Sequence, residues 1–401
     1  IDSWDAALNV LGNLPTGNGP VLVVLDEFPY LLKHSPELAS LLQRAIDRSR
    51  DGGPPLRLVL CGSALAVMSS LLTGTQALRG RASLDVVVQT FDYRTAAAFW
   101  EIDDAATAFI VHSVLGGTPG YRDLLPTSPP KKVSDVGKWL AAGPLNPASA
   151  LFREDDYLLT EERSLSDRAL YHSVVRAIAN GNTSQAKIAS ALGREQRAVQ
   201  HPLKALEEAG FVSRTDDALR ARRPFYRLTD PIIRFHHVVT RPDHARFEER
   251  RTIEAWKDAQ PRFLTHVLGP HFEDIARDFI LKFASKQTVG GQPATVGPAI
   301  VNDVASRTQH ELDVVAIGRN DDGSTTVLAL GEAKHSKAKR TPADLARLEH
   351  IRSLVTAKDP SAESARLLLF SASGFEGNLT QQVAARNDVE LINLERLYTG
   401  D

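Results

Sequence analysis

Four side chains near the C-terminal end have the types and spacing to do chemistry. Glu311 and Asp313 lie in Glu311-Leu312-Asp313-Val314-Val315-Ala316, and Glu332 and Lys334 lie in Leu328-Ala329-Leu330-Gly331-Glu332-Ala333-Lys334. The two apolar runs are split by the turn-forming Asn320-Asp321-Asp322-Gly323, which predicts a hairpin. Alternate residues of a strand share a face, so Glu311 projects with Asp313 and Glu332 with Lys334. Carboxylates facing an acid and an ammonium describe a metal site with a catalytic lysine, the equipment of phosphodiester hydrolysis. A third carboxylate, Glu273, sits just off the apolar stripe Phe272, Ile275, Ala276 and Phe279 of a predicted helix. Oxygen ligands of this kind suit Mg²⁺ or Mn²⁺. Lys334 would then orient or deprotonate the attacking water, or stabilise the pentavalent charge. Glu-x-Lys alone is commonly a solvated pair, and Glu273 alone a helix N-terminal acid. The weight lies in two charges interrupting a strand otherwise built from Val327, Leu328, Ala329, Leu330 and Ala333.

A second group stands near the start. The apolar run Val21–Leu25 reads as a buried parallel strand and ends in Asp26-Glu27. In P-loop nucleotide hydrolases the first acid at such a strand end holds Mg²⁺ and the second polarises the attacking water. The next strand, Leu56–Cys61, leads into Gly62-Ser63, where a polar residue would sense a terminal phosphate. Arg79 and Arg81 follow, and an arginine there would neutralise developing phosphate charge. Each of these has an ordinary role too, as a helix cap or surface charge. No Gly-x-x-x-x-Gly-Lys-Ser/Thr occurs; the nearest string, Gly12 to Gly19, lacks the lysine and hydroxyl and leads into a strand.

A third group lies between them. Thr183 to Gly193 predicts a short capped helix, and Glu195 to Ala209 a second with Val199, Leu203 and Leu206 inward. Phe211-Val212 and Pro224–Leu228 would form wing strands, completing a winged helix-turn-helix. Arg194, Arg197, Gln200, His201 and Lys204, with Arg220, Arg222 and Arg223 of the wing, suit phosphate and groove contact on DNA. Glu195, Glu207, Glu208, Asp216 and Asp217 dilute that charge, and winged helices also dock proteins.

Further elements must carry these groups. Strand and helix alternate through residues 20–100, with Pro36–Arg48 helical and Leu84–Val88 a third strand. The Pro- and Gly-rich stretch Thr118–Pro147 reads as connections or a boundary. Toward the end, Pro342–Ala357 and Leu379–Ala385 predict helices, and Ala365–Phe370 and Val389–Leu394 strands. The chain has 401 residues, long enough for two to four domains, with 43% hydrophobic and 24% charged residues. A formal net charge of -2 supplies no overall basic field, so any contact with nucleic acid is local. One cysteine, Cys61, excludes a disulfide framework and fits a reducing cytosol. No apolar stretch approaches membrane-spanning length and no signal-peptide pattern occurs, so a cytoplasmic protein without membrane contact is expected. The first residue is Ile1 rather than Met, which suggests a piece of a longer product.

In motif order the chain resembles the archaeal-type ATPases, an AAA-like branch of the P-loop ATPases. The resemblance rests on Leu-Asp-Glu-Phe-Pro-Tyr at 25–30, Gly62-Ser63, Gly80-Arg81, Gly-Gly-Thr-Pro-Gly-Tyr at 116–121 and the stretch Phe225 to Phe235. It extends to Phe272-Glu273, Asp313 and Glu332-x-Lys334, which match a C-terminal nuclease-like domain of the PD-(D/E)xK type. The resemblance implies an α/β multidomain protein. A partial P-loop ATPase core with a parallel sheet would span 1–125, a helical connection 126–165, a winged helix 166–245 and a restriction-endonuclease-like domain 246–401. It implies Asp26 as the magnesium-side acid, Glu27 as catalytic acid of ATP hydrolysis, Ser63 as sensor and Arg81 as arginine finger. ATP would bind only where the phosphate loop, expected before Ile1, is present. The implied function is an ATPase-linked, DNA-binding hydrolase with a metal-dependent nuclease-like domain; a homo-oligomer is compatible with it. The alternatives are a non-catalytic, nucleotide-controlled regulator that binds DNA or docks proteins, and a protein scaffold in a defence or toxin–antitoxin setting.

Overall fold

The computed structural model describes residues 3–14, 21–53, 55–161 and 168–401. The string from Gly12 to Gly19 lies mostly outside them, as do Ile1 and the expected boundary at 165/166. The chain forms two compact units, Ile1–Gln89 with two short later segments, and the remainder from Thr90. The division falls before the 125/126 boundary expected from sequence. Residues after Thr90 pack with the C-terminus instead: the Tyr93 hydroxyl donates to Leu397 O at 2.7 Å, and Arg94 donates to Leu397 O at 2.8 Å and Gly400 O at 2.9 Å.

In the first unit, β1 (Val21–Leu25) and β2 (Leu56–Leu60) pair in parallel, Leu25 opposite Leu60. Helices accompany them, among them α1 (Trp4–Gly12), capped by the Ser3 hydroxyl, α2 (Phe28–His34) and α3 (Leu38–Arg50). The α3 residues Leu38, Leu41, Leu42 and Ala45 follow helical spacing and join Leu8, Phe28, Leu71 and Leu78 in one core. The expected third strand, Leu84–Val88, is not formed. Leu84 is 82% exposed and Val88 89%. An apolar run becomes a strand only where a neighbouring edge takes its N–H and C=O groups, and among the described residues β1 and β2 pair with each other alone.

The second unit contains α4 (Ala105–Leu115), then α5 (Arg168–Ala179), α6 (Gln185–Ala191) and α7 (Gln196–Glu208), followed by the antiparallel pair β3 (Val212–Asp217) and β4 (Arg220–Leu228). The Ser184 hydroxyl caps α6, and Gly193, at φ 61°, turns the chain into α7. Two of the quoted motifs meet here. Gly117 lies so close to the Phe91 backbone that a Cβ would come within 1.8 Å of its carbonyl oxygen. Tyr121 donates to Asp230 at 3.4 Å, and burial pushes the Asp230 carboxyl up to about 6.

A five-stranded sheet follows in the order β5 (Pro293–Asp303), β6 (Thr308–Arg319), β7 (Thr325–Lys334), β8 (Arg366–Ser371) and β9 (Val389–Asn393). Its first three strands are antiparallel and its last three parallel. The β6–β7 hairpin turns at Asn320–Ser324 as expected, with Asn320 N–H donating to Ser324 O at 2.9 Å. Parallel strands need a crossover, and α9 (Pro342–Thr356) and α10 (Gly377–Val383) supply the two. Leu345, Leu348 and Ile351 of α9 form one core with Leu312, Val315, Leu330, Leu367 and Leu369. Val314, Ala316, Ala329 and Leu368 are buried outside that cluster, so both faces of the sheet are covered. Ahead of the sheet, α8 (Gly269–Lys282) buries Phe272, Ile275, Ala276 and Phe279, the stripe its sequence predicts.

Candidate functional site

The β6–β7 hairpin brings Glu311, Asp313, Glu332 and Lys334 to the wall of one cavity of about 210 Å³, shared with Arg340 and Arg347. Asp313 is the electrostatic centre. Its Oδ2 accepts from the Ala333 N–H at 2.8 Å. Burial, and next the negative charge of Glu273, push its carboxyl up to about 8, with Glu332 adding to the effect. Lys334 is exposed, and its ammonium has no hydrogen-bonded partner among the described residues. Glu332 is only 5% exposed, so its charge needs partners. Oε2 lies 3.2 Å from Arg340, itself buried, and Oε1 lies 3.3 Å from Arg347 without a well-directed hydrogen bond.

Glu273 is engaged as well. Arg227, from β4, donates to it at 3.1 Å and to Asp274 at 3.2 Å. Asp274 also receives Arg234 at 3.0 Å and Arg277 at 2.5 Å. Burial alone would raise the Asp274 carboxyl, but these three guanidinium groups hold it below the usual carboxylate range. Glu273, Asp313 and Glu332 therefore share one electrostatic neighbourhood without forming a closed ligand cage. Among the described residues, the sets of three whose ligand atoms all lie within 4.8 Å are Asp303, His310 and His350, and two sets around Asp155. The reason is competition: two of the three expected metal ligands already hold arginines. Arg227, Arg340 and Arg347 escaped sequence reasoning because nothing in their spacing ties them to carboxylates on other elements.

At the other expected site, Phe28 N–H donates to Cys61 O at 2.8 Å and Cys61 N–H to Leu25 O at 3.0 Å. These bonds set Asp26-Glu27 and Gly62-Ser63 side by side at the C-terminal edge of β1 and β2. Asp26 accepts from the Glu27 N–H at 2.9 Å, and Glu27 adopts φ 48°, a left-handed backbone uncommon outside glycine. Arg81, expected to reach a nucleotide phosphate, is instead paired bidentately with Asp47 of α3, both contacts at 2.9 Å. That geometry satisfies the guanidinium fork, so its charge is committed to α3.

In the expected DNA-contacting group, Arg194, Arg197, Gln200, His201, Lys204 and Arg222 are exposed, and Arg223 is half-buried. Val199, Leu203 and Leu206 lie on the opposite, buried side of α7, so the polar residues form one outward face.

No family model matches the chain. It is similar to the protein of Methanocaldococcus jannaschii named uncharacterized protein MJECL04, at 23% identity over 392 residues, covering 93% of this chain and 82% of that one. Among solved structures it is similar to the Walker-type ATPase PABY2304 of Pyrococcus abyssi, at 18% identity with a TM-score of 0.44, covering 59% of this chain and 68% of that one. A superposition of that degree leaves the site's own geometry to carry the functional reading. Among the described residues no helix is long and apolar enough to cross a membrane.

Proposed function

We propose that this chain is a DNA-processing hydrolase whose five-stranded sheet carries a phosphodiester-cleaving site dependent on Mg²⁺ or Mn²⁺. The observation that carries the reading is Asp313: a half-buried carboxyl beside Glu273 and Glu332, pushed up to about 8, is a negative site short of one cation. The donors are carboxylate oxygens, which fit a hard divalent ion. Asp313 and Glu332 would hold it, with Glu311 at the cavity wall and Glu273 as the third ligand once Arg227 yields. A bound ion would supply Lewis acidity and an activated water. Lys334, at the exposed mouth, donates to a non-bridging phosphate oxygen and stabilises the charge that builds there. In this reading α5–α7 with β3 and β4 act as a winged helix that holds the DNA backbone, and Asp26, Glu27 and Ser63 are half of an ATP site, completed only by a phosphate loop.

The test is cleavage of plasmid and single-stranded DNA with Mg²⁺, Mn²⁺ or EDTA. Lys334→Ala and Glu332→Gln should each abolish metal-dependent cutting. Glutamine is chosen because it removes the charge yet keeps the side chain's shape and an oxygen acceptor for Arg340, which Asp344 also pairs at 2.7 Å. Undiminished cutting by both variants refutes the assignment.

A second reading has its own support: Glu273 and Glu332 are already neutralised by arginines, as a retired active site would be. The chain would then be a non-catalytic regulator that binds DNA or docks a protein. Calorimetric titration with Mn²⁺ separates the two, since the regulator binds DNA but takes up no ion at Asp313.

A further inference from the structure

On the same sheet, one residue along β6 from Glu311, three side chains from three elements point at one another. Asp303 ends β5, His310 lies near the start of β6, and His350 stands on α9. In the β5–β6 ladder Asp303 pairs with Thr308 and Val301 with His310, so Asp303 and His310 are diagonal neighbours. Asp303 Oδ2 lies 2.9 Å from His350 Nε2 and 3.9 Å from His310 Nε2. All three ligand atoms fall within 4.8 Å of one another.

The other carboxylate oxygen is fixed. Oδ1 accepts from Ala305 N–H at 3.0 Å and Ser306 N–H at 3.1 Å, which leaves Oδ2 facing the imidazoles. This is the outer support a ligating carboxylate normally has. Meanwhile His310 Nε2 is buried with no hydrogen-bond partner, a polar atom that calls for an explanation. Among the described residues no arginine or lysine side chain pairs with any of the three. His350 is half-exposed, so an ion would have a path in and solvent beside it.

We propose that Asp303, His310 and His350 form a binding site for a late first-row divalent cation of the Zn²⁺ class. Two imidazoles and one carboxylate are the ligand types this class prefers, and solvent supplies the fourth position of an open site. The ion would clasp α9 to the turn end of the β5–β6 hairpin. The set of Asp155, His172 and His237 differs in one respect. There Arg241, which can only donate, points at His172 Nδ1 at 2.7 Å, placing a cation where a ligand's outer shell needs an acceptor.

The experiment uses the whole chain, freed of metal by chelation and titrated with Zn²⁺, and separately with Co²⁺ as a spectroscopic probe. The expected result is one Zn²⁺ whose binding is weakened about tenfold or more by His350→Ala and by His310→Ala. Visible Co²⁺ bands should weaken in step, while Glu332→Gln leaves both signals unchanged, which separates this site from the carboxylate cavity. His350 is half-exposed, so its alanine variant keeps the fold; Asp303→Ala, which also frees two turn amides, is not needed. The proposal is overturned if the chain takes up no Zn²⁺, or if both histidine variants bind it like the parent.

Discussion

At the scale of single residues, the carboxyl of Asp313 does most to define the candidate site, and its titration makes the reading testable without any substrate. Its folded value of about 8 lies above the ordinary carboxylate value of 3.8. Between those limits the folded chain binds the proton more tightly than the unfolded one, so stability from this group is fully present below about pH 4 and is lost as pH rises toward 8. Asp313→Asn removes the charge and keeps the shape. In EDTA the variant should therefore unfold at a higher temperature than the parent at pH 8, by ~2 °C or more for each kcal/mol recovered. At pH 4 the two should coincide. Thermal unfolding followed by circular dichroism at both values checks this, and equal melting at pH 8 would mean that Asp313 is not the strained group. Added Mn²⁺ should stabilise the parent and not the variant, because only the parent gains by neutralising that charge.

Secondary-structure elements show what was readable in the sequence and what was not. The β6–β7 hairpin, α9 and β8 were legible because local period and turn residues agree with the final packing. The run Leu84–Val88 had the composition of a strand but lies exposed, since composition says nothing of whether a partner edge exists. The arginines at the site were illegible for a related reason. Arg227 meets Glu273 across 46 residues, and Asp303 meets His350 across 47, distances no motif spacing records. The face of α7 belongs to the legible part, and its function can be measured there. If Arg197 contacts DNA phosphate, Arg197→Glu should weaken binding to unrelated sequences alike and lower the slope of log K against log salt by about one. Val199, Leu203 and Leu206 sit on the other side, so the substitution leaves the packing intact. Anisotropy titrations over a salt series give the slope; an unchanged slope would assign α7 to protein docking.

Over the whole molecule, the buried histidines are distributed unevenly, and that sets where acid should act. Burial pushes His112 down to about 4 and His237 down to about 3, and burial, with His112 next, pushes His271 well below its ordinary value. All three belong to the second unit. His112 Nδ1 and His271 Nε2 lie 2.9 Å apart, so one hydrogen lies between them, and protonating both rings would set two like charges in contact. The only histidine of Ile1–Gln89 is His34, which is exposed. For a histidine whose folded value is depressed, the unfolded chain binds more protons below about pH 6.5. Its contribution is complete above that value and is lost as pH falls toward 4, by about 2–3 kcal/mol for a group such as His112. Carboxylates held low by arginines, Asp274 among them, titrate below this window, whereas Asp230 and Asp313, held high, work against the imidazoles as pH falls. Hydrogen exchange corrected for intrinsic rate should therefore show α4 and α8 losing protection between pH 7 and pH 4.5 while α1 and α3 keep theirs. Uniform behaviour of the four helices across that range would show that the buried imidazoles do not govern the acid response.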